Sequence, residues 1–230
     1  MRVILFDIDG TLVAKTSTEA AERERFRRAV YDEVGRSPPI DPWRYDGMVD
    51  PQICRYLMLE VGLSENVADA HLQKVIERVG QIYMTSEKRP VLNKGVERLL
   101  EILKSSSKYK LGVLTGNLSV VGEEKLRLTG IRTYFVETFY SDAYFERSEL
   151  VKDAVRTCVG KYRLPGNKSV IIIGDTPRDV EAARNTGATA IAVASGFFSE
   201  SDLAAEGPDM VFRDLDPRRE LLMALDMEAA

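Results

Sequence analysis

Apolar residues dominate four short stretches of this chain, VILF at 3–6, YKLGVLT at 109–115, KSVIIIGD at 168–175 and ATAIAVA at 188–194, with a shorter DMVF at 209–212. Runs of that length without polar alternation predict strands covered on both faces. Between Thr16 and Lys88 the rhythm changes, and apolar positions recur three and four residues apart. Thr16-Ser17-Thr18-Glu19 reads as a capping box that opens a helix through Phe26 and Val30, ending at Gly35. Asp50-Pro51 supplies an N-cap and a first-turn proline for a second helix marked by Ile53, Tyr56, Leu57 and Val61, and Ser64 caps a third. The intervening RSPPIDPWRYDGMVD, residues 36–50, is an irregular loop.

From Asn93 onward helix and strand alternate. Val96, Leu99, Leu100 and Leu103 share one helical face, residues 118–128 and 177–185 read as further helices, and Leu150, Val151, Ala154, Val155 and Cys158 mark the buried side of another. Alternation with short connections predicts an α/β fold with a doubly wound, Rossmann-like parallel sheet. The core would comprise residues 1–15 and 90–230, interrupted by an all-helical cap domain of residues 16–89. Active sites of such sheets lie beyond the C-terminal strand ends, where this insertion leaves the core, so it is placed to act as a lid.

With 44% hydrophobic and 30% charged residues and a net charge of −4, the chain has the composition of an ordinary folded protein. No basic excess points to nucleic acid, and no apolar run approaches the ~18 residues of a membrane span. The N-terminus shows a strand pattern rather than a signal peptide, so the cytoplasm is the expected location. Cys54 and Cys158 lack CxxC spacing and are expected to be buried hydrophobes.

The chemistry gathers at strand ends. Asp7 and Asp9 follow the first run, Thr115-Gly116-Asn117 the second, and Asp175 with Asp179 the third. In a parallel sheet these ends converge, and four carboxylates brought together repel one another unless a cation is bound. Oxygen-only ligation selects a hard dication, most plausibly Mg2+. Thr115-Gly116-Asn117 offers a hydroxyl and uncrowded amides leading into a helix N-terminus, an arrangement that binds phosphate oxygens. A cation beside an anion cradle points to phosphoryl chemistry.

FDIDGTL, VLTGN and IIIGDTPRDVEAARNTGA are similar to the first, second and fourth motifs of the haloacid dehalogenase superfamily, specifically its phosphatases with a helical cap after the first motif. DGMVDPQI at 46–53, which includes Asp46 and Gly47, resembles the cap stretch of the phosphoglycolate-phosphatase-like group. The resemblance implies that Asp7 is the nucleophile forming an aspartyl-phosphate and that Asp9 is the proton donor, then the base for water. It further implies that Asp7, Asp175 and the main-chain carbonyl of Asp9 hold magnesium, that Asp179 binds it directly or through a water, and that Thr115, Gly116 and Asn117 bind the phosphate. The third motif of the family is a basic residue, and YFERSELVKDAV offers Arg147 or Lys152. Lys152 lies away from the apolar face, so Arg147, just before a Ser148 N-cap, is preferred. His71 is expected to be structural, while Trp43, Arg44, Tyr45 and Asp46 are either substrate contacts or loop packing.

The expected activity is magnesium-dependent hydrolysis of a small phosphorylated metabolite, with a phosphoglycolate-like acid as one possibility. A sugar phosphomutase using the same intermediate is the alternative enzyme, and a non-catalytic binding domain of the same fold is the weaker one. Dehalogenation would not need Asp9, Asp175 and Asp179 together.

Overall fold

The computed structural model describes residues 1–15, 19–39, 44–87 and 89–226. Six parallel strands form one sheet: β1 (Arg2–Phe6), β2 (Tyr109–Leu114), β3 (Glu137–Phe139), β4 (Val170–Gly174), β5 (Thr189–Val193) and β6 (Met210–Phe212), in the order β3-β2-β1-β4-β5-β6. Ile4 pairs with Leu111 on one side and Ile171 on the other. The strand order reverses beside β1, which puts the crevice of the sheet at the C-terminal ends of β1, β2 and β4.

Both sheet faces are buried because strand side chains alternate. Ile4 and Phe6 pack with α4 (Val96–Lys104), through Leu99, Leu100 and Leu103, and with α9 (Arg219–Asp226), through Leu221 and Leu225. Val3 and Leu5 share a cluster with α6 (Arg147–Tyr162), α7 (Pro177–Thr186) and α8 (Glu200–Ala205), through Leu150, Ala154, Val180, Ala183 and Leu203. Cys158 lies in this second cluster, and both cysteines are buried and unpaired.

Between β1 and α4, helices α1 (Glu19–Val34), α2 (Asp50–Glu60) and α3 (Glu65–Thr85) build a third cluster from Phe26, Val30, Leu57, Met58, Val75 and Tyr83. Leu118 and Val121, which flank the start of α5 (Ser119–Leu128), belong to this cluster, so α5 is the core helix on which the insertion rests.

Some expectations need correction. Val49, not Asp50, is the N-cap of α2, because the Asp50 carboxylate accepts the Leu118 N–H at 3.0 Å instead. Arg147 opens α6 behind an N-cap at Glu146, two residues earlier than a Ser148 cap implies. Ser64 occupies the N-cap of α3 without a side-chain bond. Strand β3 has only three residues at a sheet edge, too few to show a period. The capping box expected at Thr16, Ser17 and Thr18, and Trp43, lie outside the described residues.

Candidate active site

Asp7 extends β1 by one residue, its N–H donating to Ile173 O at 2.9 Å, and its side chain reaches the end of the sheet. The chain then turns. Gly10 takes φ 83°, and a Cβ there would collide with the Asp175 carboxylate, so a glycine is required by both conformation and space. Asn93 Nδ2 donates to the carbonyls of Gly10 and Thr11 at 2.8 and 3.0 Å, holding the turn from outside.

Asp175 ends β4 fully buried, and Thr176 caps α7 with Asp179 in a reciprocal box, the Thr176 N–H donating to Asp179 Oδ2 at 3.0 Å. The cap explains the spacing of GDTPRD: Asp179 spends one oxygen on the helix start and turns Oδ1 toward Arg147. Ligand oxygens of Asp7, Asp175 and Asp179 lie within 4.8 Å of one another. Burial, countered by Arg147, pushes Asp7 up to about 6, and burial, countered by Lys15, pushes Asp175 up to about 8. Asp175 Oδ2 is buried without a hydrogen bond, although Lys15 Nζ forms an ion pair 2.9 Å away. A buried triad of carboxylates within this reach of one another fits a hard divalent cation. The Asp9 carboxylate is not one of the three, and only its main-chain carbonyl is left for that role.

Thr115 N–H donates to Phe139 O at 3.0 Å at the end of β2, with its side chain fully buried. A Cβ on Gly116 would meet Met48 O, so the loop before α2 closes directly over this glycine. The amides that follow Asn117, at the start of α5, are already taken. Leu118 N–H donates to Asp50 and Ser119 N–H to Asp142 at 2.8 Å, so acidic side chains already satisfy these amides. Thr115, Gly116 and Asn117, the residues expected to form the anion cradle, lie ahead of these amides. Asn117 Nδ2 bonds Asp9 Oδ2 at 2.7 Å and Thr115 Oγ1 at 2.9 Å.

Arg147 is 6% exposed, pairs with Asp179 and places Nη2 3.5 Å from Asp7 Oδ1. Lys152, one turn on, is exposed and away from the site. Sequence reasoning missed Lys125. This lysine of α5 is 0% exposed, and its Nζ lies 2.7 Å from both Asp9 oxygens. Burial raises the Asp9 carboxyl, but Lys125 outweighs it and, with Asn117, holds it below the usual carboxylate range. The missed signal was a charge on the apolar face of α5, between Val121 and Leu126.

The site opens into a cavity of about 120 Å³. Asp7, Asp9, Thr115 and Arg147 line its core side, and Arg23, Arg25, Phe26 and Ile53 line the side of the insertion. Asp46 lines it too, paired with Arg23 at 2.9 Å and Lys15 at 3.4 Å, and Gly47 sits against Thr176. Tyr45 reaches the cavity and bonds Glu60 at 2.7 Å, whereas Arg44 pairs with Glu60 at 2.6 Å and stacks on Tyr56 as loop packing. His71 bonds Glu33 at 2.8 Å on the outer side, the structural role expected.

A model of the haloacid dehalogenase-like hydrolase family matches residues 1–187. The chain is similar to a phosphoglycolate phosphatase of Synechococcus elongatus, 30% identical over 225 residues that cover 98% of this chain and 97% of that one. A phosphoglycolate phosphatase of Vibrio parahaemolyticus is 25% identical over 96% of each chain. Among solved structures, a hydrolase from Pseudomonas syringae has the same fold, with a TM-score of 0.74, 22% identity and full coverage of both chains.

Proposed function

Because this chain belongs to the haloacid dehalogenase-like hydrolases, we propose that it is a magnesium-dependent phosphatase of a small phosphomonoester, acting through an aspartyl-phosphate. The observation that carries the reading is the buried triad Asp7, Asp175 and Asp179 beside Arg147 at the mouth of a small cavity. Residues 16–89 act as a cap over a core of 1–15 and 90–230.

Asp7 attacks phosphorus, forming a P–O bond to its carboxylate as the bond to the alcohol breaks. Asp9, on its turn two residues later, gives the departing oxygen a proton and takes one from the water that then hydrolyses the phosphoaspartate. Arg147 neutralises charge between nucleophile and phosphate, and Thr115 with Gly116 receives a phosphoryl oxygen. Asp7, Asp175, Asp179 and the Asp9 carbonyl would hold the magnesium, which supplies charge neutralisation at the phosphoryl oxygens.

Arg23 and Arg25 on the cap side of the cavity favour a substrate with a second anionic group, as in phosphoglycolate. The similarity to phosphoglycolate phosphatases over nearly the whole chain supports the same choice. Purified protein should release inorganic phosphate from 2-phosphoglycolate with magnesium and stop on chelation. Turnover unaffected by chelator, or no phosphate from any of a panel of phosphorylated metabolites, would reject the proposal. An isomerised sugar phosphate without free phosphate would replace it by a mutase.

The triad also predicts a linkage between pH, cation and stability. Asp7 at about 6 and Asp175 at about 8 bind protons in the folded state that the unfolded chain, with carboxyls near 3.8, has released. Stability of the metal-free protein contributed by these groups therefore falls as pH rises from about 4 to 8. Magnesium restores it, displacing those protons. At a hundredfold excess over its Kd it should add about 2.7 kcal/mol, a Tm rise of roughly 5–10 °C. Calorimetry should find the midpoint for cation binding at lower magnesium at pH 8 than at pH 5.5. An equal midpoint at both would mean the carboxyls are not titrating against the cation.

A further inference from the structure

Lys125 is the one fully buried lysine among the described residues, and burying an ammonium is costly unless it is paired. It sits where α5 changes neighbours: Val121 packs into the cluster of the insertion, Leu126 into that of the sheet, and Lys125 points between them at Asp9. Its Nζ lies 2.7 Å from each Asp9 oxygen, 3.2 Å from Asn117 Oδ1 and 5.7 Å from the centroid of the Tyr83 ring on α3. Asp9 itself rides on a turn with its side chain 34% exposed, so its backbone does not define where the carboxylate points.

We propose that Lys125 is the positioning residue for Asp9, clamping the carboxylate from a helix that also bears the cap, so that Asp9 faces the leaving oxygen. The proposal rests on the reading of Asp9 as proton donor. Lys125 does not line the cavity, so its effect passes through Asp9 alone: the ammonium favours the ionised carboxylate at rest, and orientation outweighs that effect in the rate.

That route predicts a dependence on the leaving group. kcat/KM contains steps only through departure of the alcohol, and a nitrophenolate departs without needing a proton, whereas an alkoxide does not. Lys125→Met should lower kcat/KM for 2-phosphoglycolate, or the best alkyl phosphate of the panel, by about 100-fold, and for p-nitrophenyl phosphate by less than about fivefold. Lys125→Arg, which keeps a charged donor, should recover part of the alkyl-phosphate rate. Adding Lys125→Met to Asp9→Asn should cost nothing further on the alkyl substrate. Equal losses on both substrates, or additive losses in the double variant, would overturn the proposal. If Asp9→Asn itself loses equally on both, the proton-donor reading falls, and Lys125 with it; if only Lys125→Met lacks the contrast, the proton-donor reading stands and the positioning role falls. Should Lys125→Met not fold, Lys125→Gln and Lys125→Arg carry the same comparison.

Discussion

Asp7→Asn is expected to reduce phosphate release by at least about 10⁴-fold, because an amide neither attacks phosphorus nor forms an aspartyl-phosphate. The substitution is nearly isosteric, so geometry is preserved. Its effect on stability should run the other way. Asp7 is one of three acids within 4.8 Å of one another, and burial with like charge already pushes it up to about 6. Removing that charge relieves repulsion on Asp175 and Asp179, while Arg147 keeps its pair with Asp179. The chelated variant should therefore melt no lower than chelated wild type. Thermal unfolding measured beside turnover separates loss of chemistry from loss of fold. Activity within tenfold of wild type would remove the covalent mechanism.

The second large effect is expected at Arg147. Its guanidinium is buried between Asp7 and Asp179 and stays charged because those carboxylates outweigh the cost of burial. Arg147→Ala should lower kcat/KM by about 10² to 10³, the typical loss of one preorganised charge at a reacting centre. It should also destabilise the chelated protein by about 3–5 kcal/mol, since truncation leaves buried carboxylates without their partner. Arg147→Lys should recover part of both. Lys152→Ala, on the exposed face of α6, should stay within about twofold in rate. Comparable losses at the two positions would return the basic role to Lys152.

The choice between these two cations shows how far residue order reaches. The helical period put Lys152 on the outer face, and periodicity alone sufficed because α6 packs one continuous apolar stripe on the sheet. The start of that helix was less legible. Neither Glu146 nor Ser148 makes a capping bond, so no local chemistry announces the first turn. The same limit applies at Asp50, whose cap-like sequence serves α5 instead of its own helix. A side chain that satisfies a distant amide has no local pattern to betray it.

Lys125 marks the boundary most clearly. In sequence it is one charge in SVVGEEKLRL, set apart only by its place four residues after Val121 on the apolar face, which does not say what it meets. Only packing against two hydrophobic clusters at once turns that position inward, and only the turn at Gly10 brings Asp9 within its reach.

The sequence by itself determined the parallel sheet, the helical insertion and the identity of the acids at the strand ends. Those features rest on short-range rules: an unbroken apolar run, a period of 3.6 residues, a glycine where φ is positive, an aspartate where a strand stops. Convergence of the acids was legible from strand ends in a parallel sheet, whereas tertiary structure decided their full set of partners. It joined three acids to Arg147, closed the first turn of α5 to anions with Asp50 and Asp142, and buried Lys125 beneath Asp9. The reason is electrostatic: buried charges interact over a few ångströms of space, and residues more than a hundred positions apart become neighbours only after the sheet has formed.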